Sequence, residues 1–132
     1  MVDPIICPAI ALGIIIGIIE FGFVHADEPG GIGMGHALHA LPSAIIFVFI
    51  SMNISYVAGL VGYDLTENFT IDLAVRGVIA LIAMIKIQAA AAIGRGVGEK
   101  LPHTLAIGVL IFAAPYAWQY VLANLIGGLF PC

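Results

Sequence analysis

Four long apolar stretches, at about residues 4–24, 42–63, 71–93 and 102–128, fill most of this chain, each about 20 residues long or slightly more. That is the length an α-helix needs to cross about 30 Å of hydrocarbon, at 1.5 Å of rise per residue. In lipid the backbone must satisfy its own hydrogen bonds, which a helix does within one segment. The sequence therefore predicts an all-α integral membrane bundle of four transmembrane helices, forming one domain over residues 1–132. A transmembrane β-barrel would instead show segments of about 10 residues with alternating polarity. Here the apolar runs are continuous.

Charge content agrees. Only 9% of the residues are charged and 62% are hydrophobic, whereas a soluble domain carries about 25% charged residues on its surface. Four Lys/Arg against eight Asp/Glu leave a net charge of −4. With no basic stripe, nucleic acid is excluded as a partner, and so is a polybasic patch for anionic lipid. The expected surroundings are the bilayer and other membrane subunits. Val24-His25-Ala26 has the small residues of a signal-peptide cleavage site. The lack of Lys or Arg before residue 5, and Glu20 in the approach, favour a retained first helix.

Between the first two helices, residues 25–41 are broken by Pro29, Gly30, Gly31, Gly33 and Gly35. A short interfacial helix or a re-entrant turn over residues 28–41 is the expectation there. This glycine-rich run lacks the Lys-Ser/Thr of a phosphate loop and follows no strand. Residues 64–70 make the clearest external turn. Pro115, inside the fourth helix, lacks an N–H and should kink it unless a neighbour satisfies the freed carbonyl.

Four crossings place both termini on one side. Arg95 and Lys100 then lie on the other side, and only Arg76 is near the first. The positive-inside rule thus predicts termini outside and the histidine-bearing loops in the cytoplasm. Asn68-Phe69-Thr70 is a glycosylation-type sequon in the outer loop. Cys7 and Cys132 would meet on the same side, where a disulfide persists.

Lipid tails are as apolar as leucine, so close backbone approach at small residues must help hold the helices together. Gly13 and Gly17, then Ser51, Ser55, Gly59 and Gly62, then Ala80, Ala83, Ala90 and Gly94, then Ala106, Ala113, Ala117 and Gly128 make one such stripe per helix. A unit this small is expected to form a homo-oligomer or to join other membrane subunits.

The polar residues inside the spans carry the functional expectation. Glu20 continues the Gly13, Gly17 face, and Lys86 on the third helix is its natural partner. Counted from the shared boundary they lie at depths of about 6 and 10 Å. Ionisable groups in a membrane mark paired sites or ion pathways, the alternative being a structural pair or two snorkelling side chains. Asp72 and Arg76 are spaced for an i,i+4 pair. Asn53, Gln88, Gln119 and Asn124 either line a polar path or serve as interhelical hydrogen-bond donors.

All four histidines fall at one boundary. His25, His36 and His39 flank the first loop and His103 opens the fourth helix, with Asp27, Glu28 and Glu99 nearby. Imidazoles with carboxylates suit a divalent metal ion, or a pH sensor, or simply the headgroup layer. The candidate metal ligands are His25, Asp27, Glu28, His36, His39 and His103. Neither H-E-x-x-H nor paired C-x-x-C occurs, which argues against a zinc protease or a thiolate site. The expected function is an oligomeric channel or carrier for an ion or metal. The alternatives are a non-catalytic subunit of a larger membrane complex and an intramembrane metal-dependent enzyme.

Overall fold

The computed structural model describes residues 3–27, 34–63, 68–95 and 100–130, without the side chains of residues 27, 34–38 and 91–95. The described residues are helical, with no strand among them. In chain order the elements are α1 (Ile6–Asp27), α2 (Met34–Met52), α3 (Ile54–Leu60), α4 (Phe69–Arg95) and α5 (Leu101–Ala117). A π-helical turn (Trp118–Leu122), a one-turn helix α6 (Ala123–Ile126) and a 3₁₀ turn (Gly127–Leu129) follow α5.

Among the described residues, Ile6–Ala26 and Leu101–Leu129 are each long and apolar enough to cross a bilayer. His39–Met52 and Ile54–Leu60 make a third candidate if the pair, bent by 87°, is counted as one. Two or three such segments mark a membrane protein. The sequence leads to an expectation of four crossings; α4, which carries Asp72, Arg76 and Lys86, is not among these two or three segments.

The long helices alternate in direction. α2 and α5 pack on each other in the middle, with α1 against both on one side and α4 against both on the other. The shared core is Ile16, Val48, Ile87, Ile107 and Ile111 with the small residues Ala9, Ala44, Ala83 and Ala114. Small residues set the spacing. A Cβ added at Gly13 would lie 2.6 Å from Ile45 Cα, and one at Gly17 3.1 Å from Leu41 Cα. The α1–α2 contact is thus a small-xxx-small crossing in which backbones nearly touch. On α5, Gly108 leaves room for the Met84 thioether of α4.

Two boundaries differ from the sequence reading, both in the second helix. Residues 34–41 are no separate interfacial or re-entrant segment: they are the first turns of α2, which runs straight through Pro42. The proline reads as a helix start, but the apolar turn before it is held against Gly17 through Leu41. That packing outweighs the one hydrogen bond a proline removes. Residues 28–33 lie outside the described residues.

The expected helix over 42–63 instead breaks at Asn53. Its side-chain amide donates to Phe49 O at 2.9 Å and to Ile5 O at 3.2 Å, and its Oδ1 accepts from Ile5 N–H at 2.6 Å. Asparagine competes with the helical ladder through such local bonds. The start of α4 follows the same logic, with Asn68 Oδ1 accepting from Thr70 N–H at 3.0 Å as an N-cap. The sequon asparagine therefore serves as a cap through its Oδ1.

Candidate functional site

Polar side chains gather at two levels of the bundle. At the level of Asn53, Arg76 makes a fork onto Asp72: Nε and Nη2 each donate to a carboxylate oxygen at 2.8 Å. This is the i,i+4 pair that the spacing predicts, made bidentate by the guanidinium plane. The Tyr116 hydroxyl of α5 donates to the same carboxylate at 2.8 Å, and the guanidinium carbon lies 5.3 Å from the Tyr116 ring centre.

Arg76 Nη1 also donates to the Ser51 carbonyl, which the break after Met52 has released from the helical ladder. The Ser51 hydroxyl in turn donates to Ile111 O at 3.1 Å. Ile111 precedes Pro115 by one helical turn, so its carbonyl is the one the proline frees. A serine on α2 thus satisfies the carbonyl orphaned on α5. The helix continues to Ala117 before loosening into the π-helical turn.

This clasp joins α2, α4 and α5 at one end, and Asn53 ties in the start of α1. Its donors and acceptors face one another, so its chemistry is structural. Sequence reasoning found Asp72, Arg76, Asn53 and the proline; it placed Ser51 only in a small-residue stripe and did not single out Tyr116. The signal for the bond made by Ser51 was the need for some donor near Ile111.

The other level holds the predicted site residues. Glu20 is 4% exposed, with Oε2 closed off from solvent, on the face of α1 that carries Gly13 and Gly17. Its expected pairing with Lys86 does not form. Lys86 Nζ donates to Ser43 Oγ at 2.5 Å and lies 5.9 Å from the Phe47 ring centre. The physical reason is the helix arrangement: α2 and α5 stand between α1 and α4, so matching depth does not bring the two side chains together. Nearby, Gln88 Nε2 donates to Thr104 Oγ1 at 2.6 Å across the α4–α5 contact. Gln88 and Asn53 act as interhelical donors, while Gln119 and Asn124 are exposed.

The histidines share an end, as expected, but the described ones do not converge. The His103 ring stacks on Phe23 at 4.5 Å between centres and 7° between planes. His25 and His39 are exposed. Among the described residues no three His, Cys, Asp or Glu come together to hold a metal. Glu28, Glu99 and the side chains of Asp27 and His36 lie outside the described residues. No described cysteine is a free thiol, and Cys132 also lies outside. What this level offers chemically is one enclosed carboxylate in a candidate span, with hydroxyl and amide groups on the neighbouring helices at the same end. No known protein family matches the chain, and neither does any curated protein or solved structure.

Proposed function

We propose that this protein is a small oligomeric channel or carrier for a cation, with Glu20 as the acid on its path. The observation that carries the reading is the burial of Glu20 within an apolar span. A charged side chain costs about 3 kcal/mol at the bilayer centre and less at the shallower depth of Glu20, and a helix surface facing lipid gives no reason to keep it. Turned into the bundle, a carboxylate can take up and release a proton or hold a cation. Ser43, Thr104 and Gln88, at the same end, supply polar groups to which a passing ion can transfer.

In this reading α4 is also a crossing. Its 27 residues span about 40 Å, Asp72 and Arg76 neutralise each other near one end, and Lys86 snorkels along Phe47. Four crossings then result, with both termini outside and the histidine end in the cytoplasm. Self-association supplies the conduit that four helices are too few to enclose. A divalent metal is one candidate solute, received by the histidine face.

The test is flux into proteoliposomes carrying a pH-sensitive or a divalent-cation-sensitive dye. Wild-type protein is expected to collapse one of the two gradients, and Glu20→Gln to slow that flux at least about tenfold, equivalent to 1.4 kcal/mol. Equal flux through both proteins would remove Glu20 from the path. No flux with either dye would remove the transport reading and leave that of a subunit in a larger complex.

A further inference from the structure

Helix α3 turns away from α2 by 87° at Asn53. If α2 runs across the bilayer, α3 runs along its surface. What it carries suits that place: Ile54–Leu60 contains no charge, and Ile54 and Ala58 are buried toward the bundle. Leu60, Val61 and Tyr63 point outward at 62%, 70% and 72% exposure. The break is held by Asn53 and by the clasp around Arg76, so the angle is set by hydrogen bonds.

A second observation is independent of the bend. The chain has four tyrosines and one tryptophan, and all five belong to this end. Tyr56 lies on α3 and Tyr63 just after it, Tyr116 binds Asp72, and Trp118 and Tyr120 follow on the π-helical turn. The opposite end holds the histidines instead. Tyrosine and tryptophan concentrate where an apolar ring meets a hydrated headgroup. Acidic residues exceed basic ones in the flanking sequence, with Asp64, Glu67 and Asp72 against Arg76, which disfavours anionic lipid.

We propose that α3 is an interfacial anchor: it lies in the headgroup layer of one leaflet, with Leu60, Val61 and Tyr63 inserted among zwitterionic lipids. Its partner is the lipid surface itself. The anchor fixes the height of the bundle, because Asn53, at the head of α3, is bonded to the start of α1, and Ser51, at the end of α2 just before the bend, is bonded to Arg76 of α4. The proposal stands on the membrane character of α1 and α5 and is independent of any role for Glu20.

The test places a single tryptophan at the tip. Trp118→Phe removes the native fluorophore, and Val61→Trp or the milder Tyr63→Trp introduces the probe. Each protein is reconstituted into phosphatidylcholine vesicles brominated at shallow or deep acyl positions, with retained helicity checked by circular dichroism. Quenching by shallow bromine, about 5–10 Å below the headgroup boundary, is expected to exceed quenching by deep bromine or by aqueous iodide about twofold or more. Strongest quenching by deep bromine would make α3 the second half of a broken span. Strongest quenching by iodide would place it in water. Either result overturns the anchor. Because exposed Tyr63 can be exchanged with little disturbance, failure of the Val61→Trp protein to fold leaves the second probe to decide.

Discussion

Removing the Ser51 hydroxyl tests how the proline in α5 is tolerated. Ser51 is 0% exposed and its hydroxyl is bonded to Ile111 O. In Ser51→Ala that carbonyl loses its donor, and Pro115 prevents the backbone from supplying another. Side-chain hydrogen bonds between membrane helices are worth about 0.6 kcal/mol on average and up to about 1.7. An acceptor that no water can reach sits at the upper end, so a loss of about 1–2 kcal/mol is expected.

The sharper measurement is a double-mutant cycle with Pro115→Ala. Alanine at 115 restores an N–H one turn beyond Ile111, which can then close the ordinary helical bond. Cavity and kink effects of losing the buried ring occur in both arms and cancel. In the Pro115→Ala background, Ser51→Ala should cost no more than about 0.5 kcal/mol, giving a coupling of about 1 kcal/mol. Reversible unfolding in mixed detergent micelles, followed by far-ultraviolet circular dichroism, resolves a difference of that size. Equal losses in the two backgrounds would show that the serine does not substitute for the missing backbone donor.

Three other outcomes follow from the packing, the clasp and the expected disulfide. Gly13→Ala should destabilise the protein in the same assay by about 1–3 kcal/mol, since its methyl meets Ile45 Cα at 2.6 Å. Gly22→Ala, with nothing within 4 Å of the added Cβ, should be neutral or stabilising by up to about 1 kcal/mol; similar losses at both sites would refute the α1–α2 crossing. Asp72→Asn should cost about 1–3 kcal/mol by breaking the fork to Arg76 in a partly exposed setting. Tyr116→Phe should cost about 1 kcal/mol, and an Asp72→Asn loss no larger than that would show the fork adds little. Maleimide labelling of denatured, unreduced protein should find no thiol, and labelling after reduction should find both Cys7 and Cys132; two thiols without reductant would refute their pairing.

Much of the architecture was legible because lipid leaves the backbone few choices. Apolar length predicts helices, Gly13 and Gly17 predict a close crossing, and the Asp72–Arg76 spacing predicts an ion pair. These are local properties of one helix, readable from one segment. The second helix was misread for a local reason too: Pro42 and Asn53 both punctuate, and only packing shows which of them breaks the helix. Pro42 lies in a segment held against α1, so the helix passes through it. Asn53 lies where Ile5 and Phe49 offer its amide three bonds, so the helix stops.

The Glu20–Lys86 pairing failed for a different reason. Depth along a helix follows from counting residues, but which helices are neighbours does not. By itself the sequence determined that the chain folds as apolar helices with its histidines gathered at one end, because hydropathy and the order of segments suffice for that. Only the tertiary structure decided that α2 and α5 separate the acid from the lysine, and that Ser51 completes the proline-broken ladder of α5. Those outcomes depend on the rotation and adjacency of helices far apart in sequence, and adjacency is set by side-chain packing across the whole bundle.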